Sequence, residues 1–294
     1  MSSKRYIWWW VLPAALLFLI IILLPFITAL TYSFRAFSFT DSTATGQFIG
    51  IENYRKLVFD QDFYNSFKVT FLYMVPSILI QGALGLGIAL LISRAVQRAR
   101  ILIPIMLLPT LLTPVVIGLV GVLTLNPDFG VIGIWLNRSG LIKEAVLGSY
   151  KWALPAIIAV DTYQWTPFVA VILTAGLLGL PKEPYEAAQV DGANPVQTFF
   201  RVTMPLLWPY FVVAMLIRVI DAFRIFDIIW VMTRGGPGTV TEAVAVYAYR
   251  HTFRYWDMGY GSALIMVLFV FISIMVEYLY KALQKWQGAG GSSA

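Results

Sequence analysis

Long apolar runs alternate with short polar segments along the chain. Each run exceeds the roughly 20 residues that an α-helix needs to cross a bilayer. The pattern predicts an all-α, polytopic membrane protein whose six transmembrane helices lie at about 7–30, 69–93, 101–125, 153–180, 206–232 and 260–281. The segments between them are too short for a soluble domain, so we expect residues 1–287 to form a single transmembrane domain, followed by a flexible tail at 288–294.

The first and third predicted helices carry features that refine this picture. Lys4 and Arg5 precede the first apolar run, which is longer than the roughly 7–15 apolar residues of a secretory signal. This order predicts an uncleaved helix with a cytoplasmic N-terminus. The third helix contains prolines that must interrupt its hydrogen bonds. Thr110 and Thr113 lie among these breaks, and the sequence leaves open whether they repair the backbone or face a cavity.

Composition excludes several other classes of protein. Hydrophobic residues make up 59% of the chain and charged residues only 12%, which is typical of a membrane protein. The chain has no cysteine, so disulfides, thiolate metal sites and cysteine nucleophiles are excluded. Its net charge of +6 is spread over short loops without a nucleic-acid-binding motif, which favours membrane lipid and not nucleic acid as a partner. Without paired catalytic carboxylates or a metal cluster in the sequence, we expect no catalytic residue and no metal site.

The fourth predicted helix has a polar and aromatic face. Asp161, Gln164, Trp165 and Phe168 recur at intervals of three and four residues, which places them on one side of the helix. Such a face inside a membrane is either a helix-packing surface or the lining of a path. Aromatic rings stack on the apolar faces of sugars, while amides and carboxylates bind sugar hydroxyls. We therefore favour a substrate path lined by these residues.

The fifth predicted helix carries four charges of alternating sign, at Arg218, Asp221, Arg224 and Asp227. Each charge at mid-membrane costs about 2.5–3.5 kcal/mol on the insertion scale, so they cannot all face lipid. A spacing of three residues rotates the row by about 60° per step, so the row cannot line one face as a whole. We expect Asp221 and Arg224 near the cavity, and Arg218 and Asp227 satisfied by neighbouring chains. A purely structural ion-pair ladder is the alternative.

A polar interlude at 181–205 separates these two helices and predicts two short helices with a turn between them. Pro184 suits a first helical turn, and Gly192 suits a left-handed C-cap. Asn194 is expected to cap a second helix that begins at Pro195. The first short helix carries Glu-Ala-Ala at 186–188, and its small side chains would let another protein's backbone approach closely. Such a helix suits docking better than chemistry.

The amino-acid sequence of this interlude resembles a known signature. The segment is similar to the signature loop of ABC importer permeases, in the version found in the carbohydrate-uptake branch that includes maltose transporters. The residues that carry the resemblance are Glu186, Ala187 and Ala188, then Asp191, Gly192 and Ala193, then Phe199-Phe200 and Pro205-Leu206. TRGGPGTVTE at 233–242 resembles a second signature of the same family. The resemblance implies that Glu186 to Ala193 form a cytoplasmic coupling helix that inserts into an ATP-hydrolysing subunit. It also implies that the fourth-helix face lines the substrate cavity.

The resemblance implies partners as well. The sequence has no G-x4-G-K-[ST] phosphate loop, so ATP hydrolysis must occur on separate subunits. We expect two ATPase subunits, which would hold ATP and magnesium, and no cofactor bound by this chain. Six helices are few for a complete path, so a second, homologous permease is expected, as is an extracytoplasmic sugar-binding protein. The family is placed in the bacterial or archaeal cytoplasmic (inner) membrane, here with both termini cytoplasmic.

The charged fifth helix leaves one other class of function open. A secondary carrier, or half of one, could use these charges as a proton or ion relay. Such a carrier would lose uptake when the ion gradient collapses and would need no ATPase. The sequence therefore predicts the membrane-spanning subunit of an ATP-driven sugar importer, with an ion-driven carrier subunit as the alternative.

Overall fold

The computed structural model describes residues 3–40, 45–93, 96–142 and 144–290. Two short strands, β1 (Arg35–Phe37) and β2 (Thr45–Phe48), pair antiparallel. The helices of the described residues are α1 (Ser3–Ser33), α2 (Glu52–Val58), α3 (Gln61–Ser93), α4 (Val96–Leu111), α5 (Pro114–Leu125), α6 (Val131–Arg138), α7 (Ala153–Leu178), α8 (Glu183–Val190), α9 (Pro195–Thr198), α10 (Met204–Phe223), α11 (Asp227–Met232), α12 (Val244–Tyr249) and α13 (Met258–Gly290).

The membrane-spanning pattern is confirmed. In the described part of the chain, five helical stretches are long and apolar enough to cross a membrane: Trp10–Ser33, Gln61–Ser93, Ala153–Leu178, Pro195–Phe223 and Met258–Lys281. The pair Ile103–Leu111 and Pro114–Leu125 meets the same criteria together but is bent by 91°. Counting that pair as one broken span gives the six predicted crossings.

Two predicted helices are interrupted. The third breaks between α4 and α5, where Thr113 is extended (φ −65°, ψ 146°) because the following residue, Pro114, disfavours helical backbone before it. The fifth helix was predicted to be continuous over 206–232, and this prediction was wrong. In the structure, α10 ends at Phe223 and α11 begins at Asp227. Between them, the amides of Arg224 and Ile225 bond three residues back, to the carbonyls of Asp221 and Ala222, in tight turns that end the helix.

The outer bounds of other helices also differ from the sequence prediction. The second helix begins at Gln61 and not at 69, and the segment between the first two helices contains the β1–β2 hairpin and α2. The last helix continues past 281, so the predicted tail at 288–294 is helical as far as Gly290, and its remaining residues lie outside the described part. The chain divides into two compact units, one formed from the segments up to 63 and 247–274, the other from 64–246 and the segment after 274. The single transmembrane domain stays a prediction.

Asp60 explains the early start of the second helix within the first unit. Its Oδ1 accepts hydrogen bonds from the backbone amides of Asp62 and Phe63, at 2.9 and 3.2 Å, and so caps the helix. Its Oδ2 accepts hydrogen bonds from the hydroxyls of Tyr247 and Tyr260. Partial burial favours the neutral acid, but these four hydrogen bonds outweigh it and lower the pKa of Asp60 below its ordinary value of 3.8.

We predict that Asp60→Asn lowers the free energy of unfolding by about 1–2 kcal/mol at neutral pH, because the charge-assisted bonds from both tyrosines are weakened. A lowered pKa in the folded state gives stability that is present above pH 3.8 and is lost as the pH falls further. The difference in melting temperature between wild type and variant should therefore shrink below that pH. Asp62→Asn, an exposed neighbour, is the control. A difference that is independent of pH would contradict this account.

The second unit holds the core that positions the candidate site. Ala89 of α3, Val169 and Leu173 of α7, and Leu207 and Ala214 of α10 are fully buried against each other. Close approach is essential here: a Cβ atom on Gly85 of α3 would lie 2.6 Å from a methyl of Val169. Because residue 85 is a glycine, the backbone of α3 can lie against the side chain of Val169 on α7.

Candidate functional site

A buried ion-pair network connects α3, α7 and α10. Arg218 of α10 has a side chain that is only 1% exposed. Its Nη2 lies 3.1 Å from Oδ2 of Asp161 on α7, and its Nη1 lies 2.6 Å from Oδ2 of Asp221. Its Nε donates to Oε1 of Gln81 on α3 at 2.8 Å, and Nε2 of Gln81 donates to Oδ2 of Asp161 at 2.7 Å. The network is thus closed between three helices.

The network corrects one expectation and satisfies a physical requirement. A buried charge is tolerated only when it is paired and hydrogen-bonded, and Arg218 finds both carboxylates and the amide within its own chain. The expectation that Arg218 is satisfied by neighbouring chains was therefore wrong. The guanidinium also lies over the indole of Trp165, 4.5 Å from the ring centroid, so it fixes that ring by a cation–π contact.

A cavity of about 300 Å³ opens beside this network. It is lined by Tyr73, Pro114, Asp161, Trp165, Asp221, Ala222, Arg224, Ile225, Phe226, Asp227 and Ile228. Both helix breaks contribute to the wall, the first through Pro114 and the second through the segment between α10 and α11. The structure thus brings together four of the residues predicted for the substrate pathway: Asp161, Trp165, Asp221 and Arg224.

The other predicted pathway residues have different environments. Gln164 is buried, and its Nε2 donates to the carbonyl of Leu112 at 3.0 Å. The hydroxyl of Thr110 donates to the carbonyl of Gln164 at 2.6 Å, so these two residues join the break after α4 to α7. Thr113 precedes α5 and makes no side-chain cap. None of the three lines the 300 Å³ cavity. The hydroxyl of Thr110 bonds to the backbone of α7 and not to the broken backbone of its own helix.

Phe168 lines a second cavity of about 380 Å³, together with Ile217, Arg218 and Ile220. The two cavities share Trp165, Asp221 and Arg224 in their walls. The ring of Phe168 meets Trp165 edge to face, with centroids 5.8 Å apart. These shared residues therefore form a partition between two spaces within the second unit.

Sequence reasoning missed Gln81 and Tyr73. Both belong to α3, are fully buried and lie beside the charged residues of the other helices. Gln81 is an amide within an apolar run, and that isolated polarity was a usable signal for a buried partner. Nothing in its spacing, however, points to Asp161 or Arg218, which lie on other helices.

The interlude between α7 and α10 has the local geometry predicted for it. Gly192 follows α8 with φ +71°, the left-handed conformation expected of a C-cap glycine. Asn194 Oδ1 accepts from the amide of Gln197, and Gln197 Oε1 accepts from the amide of Asn194, both at 2.9 Å, so a capping box begins α9. A π-helical turn at Phe199–Thr203 then leads directly into α10.

The surface of α8 is open. None of its eight residues is buried, and Val190 at its end is 88% exposed. Glu186 and Ala187 are exposed, as are Asp191 and Gly192 beyond the helix, while Ala188 and Ala193 are half-buried. The segment therefore presents small and acidic side chains to whatever lies next to it.

Comparison with known proteins identifies the class. Residues 9–288 match the family described as the inner membrane component of binding-protein-dependent transport systems, and the chain belongs to this family. It is 37% identical over 257 residues to the sulfoquinovosyl glycerol transport system permease of Agrobacterium fabrum, covering 86% of this chain and 82% of that protein. It is 34% identical over 233 residues to the trehalose/maltose transport system permease of Thermococcus litoralis, covering 79% of each.

A solved structure supports the fold. The chain superposes on a subunit of a bacterial ABC transporter that imports the acidic polysaccharide alginate, with a TM-score of 0.82, 22% identity and coverage of 97% of this chain and 96% of the other. The chain is thus an ABC transporter permease of the inner membrane, a transport subunit and not an enzyme, since ATP hydrolysis resides on a separate subunit in this family. The alternative of an ion-driven carrier is not supported.

Proposed function

We propose that this chain forms half of the translocation path of an ATP-driven sugar importer. The main support for this proposal is the 300 Å³ cavity, because Trp165, Asp221 and Arg224 lie together in its wall, which both helix breaks help to form. An aromatic ring beside paired charges suits a ligand with apolar faces and many hydroxyls. Relatives named for the transport of uncharged trehalose/maltose and of sulfonated sulfoquinovosyl glycerol support a sugar or sugar derivative as the substrate and do not decide its charge.

The predicted pathway residues have different roles in this proposal. Trp165, Asp221 and Arg224 contact the substrate, and Asp161 holds Arg218, which fixes both Asp221 and the Trp165 ring. Phe168 extends the path into the second cavity. Gln164, Thr110 and Thr113 shape the path from outside the cavity, since the first two support the break at Pro114 and the third adopts the extended backbone before it.

Coupling to ATP occurs through α8. The exposed Glu186, Ala187, Asp191 and Gly192, with the half-buried Ala188 and Ala193, dock into a cleft of the ATPase. The short interval from Leu178 to Glu183 connects α8 to α7, and the helical turns at 195–203 connect it to α10. A displacement of α8 therefore reaches both helices of the buried network, and it changes access to the cavity by alternating access.

The complete transporter contains a second, homologous permease, two ATPase subunits that hold ATP and magnesium, and an extracytoplasmic sugar-binding protein. Both termini of this chain and α8 lie on the cytoplasmic side. The family name, which specifies binding-protein dependence and the inner membrane, supports this assembly.

Affinity purification of the chain from its native membrane tests the assembly. We expect an ATPase and a second permease to co-elute in fixed ratio, and the ATPase to be lost when Glu186→Lys reverses the charge of the exposed α8 surface. Glu52→Lys, on the exposed face of α2, is the matched control and should retain both partners. Recovery of the chain without any ATP-binding subunit, in wild type and control alike, would refute the proposal.

A further inference from the structure

The charges around the 300 Å³ cavity do not cancel within the described residues. Its wall contains the carboxylates of Asp161, Asp221 and Asp227 but only one guanidinium, that of Arg224. Arg218 stands behind the wall and pairs with Asp161 and Asp221. Three carboxylates therefore meet two guanidinium groups, and one negative charge is left over.

Asp227 carries this excess charge. Asp161 has a 3% exposed side chain and is held by Arg218 and Gln81, and Asp221 contacts both arginines, at 2.6 and 3.9 Å. Asp227, in contrast, is exposed at the cavity wall and makes no hydrogen bond or ion pair with any residue that the structure describes. No described residue of this chain therefore competes with a ligand for its carboxylate.

Arg224 does not reverse this balance. Among the described residues it is the one cation in the cavity wall, and its side chain is 61% exposed. Asp221 and Asp227 stand three residues before and after it, and the guanidinium lies 3.9 Å from an oxygen of Asp221. An anion approaching Arg224 therefore meets the carboxylate of Asp221 beside the guanidinium, and the same cavity wall also holds the carboxylate of Asp227.

We propose that Asp227 is a specificity-determining residue that makes this cavity select uncharged or cationic sugars over anionic ones, such as uronic and aldonic acids. The proposal rests on the proposed function, because it assigns the chemical class of substrate to the same cavity. A neutral sugar gains hydrogen bonds from its hydroxyls to the carboxylate, and an amino sugar gains an ion pair. An acidic sugar meets a like charge in a partly desolvated site, which is a repulsive element of specificity.

Pairs of sugars that differ by one carboxylate test this proposal: maltose against maltobionate, lactose against lactobionate and glucose against glucuronate. Binding to the assembled transporter in lipid nanodiscs, without binding protein, is measured by saturation-transfer NMR. We expect wild type to prefer the neutral member. Asp227→Asn should reduce that preference roughly tenfold, the effect of one charge at about 10 Å in an effective dielectric of about 20.

Asp128→Asn is the matched control, because it removes the same charge from an exposed loop residue outside the cavity wall and should leave the preference unchanged. Tighter binding of the acidic member by wild type, or an unchanged preference in Asp227→Asn, would overturn the proposal. ATP-driven uptake of neutral sugars in the same preparations reports separately on the proposed function, which can stand even if the charge selectivity fails.

Discussion

Arg218→Met should lower the free energy of unfolding by about 3–5 kcal/mol, the cost of leaving a buried charge without its partner. Arg218 supplies the only guanidinium in contact with Asp161 among the described residues, and that carboxylate is almost fully buried. Removal of Arg218 also leaves Gln81 Oε1 without its donor and Trp165 without its cation. Titration with a denaturing detergent, followed by circular dichroism, measures the effect.

Two further variants separate this explanation from simple loss of packing. Arg224→Met removes an exposed arginine with a weak 3.9 Å contact and should cost less than about 1 kcal/mol. Asp161→Leu combined with Arg218→Met removes both buried charges and should recover much of the lost stability. Equal losses in Arg218→Met and Arg224→Met would show that burial of the network has no energetic importance.

Gly192→Val should reduce ATP-driven uptake roughly tenfold or more while the chain still inserts and remains folded. A coupling free energy of about 1–3 kcal/mol between two sites corresponds to about 5–150-fold. Gly192 has φ +71°, a conformation that a β-branched residue strongly disfavours. Valine at this position should therefore change the backbone conformation at the end of α8. The uptake rate per folded transporter, together with its basal ATPase rate, is the measurement.

Gly140→Val is the matched control for this prediction. Gly140 has φ +73° and, like Gly192, an open space where a Cβ would lie, so the substitution imposes a similar backbone strain far from α8 in sequence. We expect its uptake to remain near that of wild type. Similar losses in both variants would attribute the effect to strain in general and not to the coupling segment.

Local features of this chain could be predicted from sequence because local residues determine them. The C-cap at Gly192 and the cap at Asn194 depend on one or two side chains and on backbone conformation, and both predictions are confirmed. The prolines of the third helix predicted an interruption, and the helix does break before Pro114, but Pro104 and Pro109 lie within α4, so the position of the break did not follow from the prolines alone.

Features that depend on distant contacts could not be predicted. The segment Arg224–Phe226 contains neither glycine nor proline, so nothing marked the end of α10. Spacing indicated that Asp221 can reach Arg218, three residues away, but Gln81 and Asp161 lie 137 and 57 residues from it. Only the packing of α3, α7 and α10 brings them together. Because of this packing, Arg218 is paired within its own chain and not by neighbouring chains, as the sequence had suggested.

The proposed transporter imports a sugar through the cavity, and ATP drives this import through α8. The most direct test reconstitutes the purified assembly in proteoliposomes with ATP inside, binding protein and radiolabelled sugar outside, and ionophores that abolish ion gradients. We expect uptake that requires ATP, persists with ionophores and falls roughly tenfold or more in Gly192→Val. Uptake that continues without ATP and collapses with the ion gradient would contradict ATP-driven import.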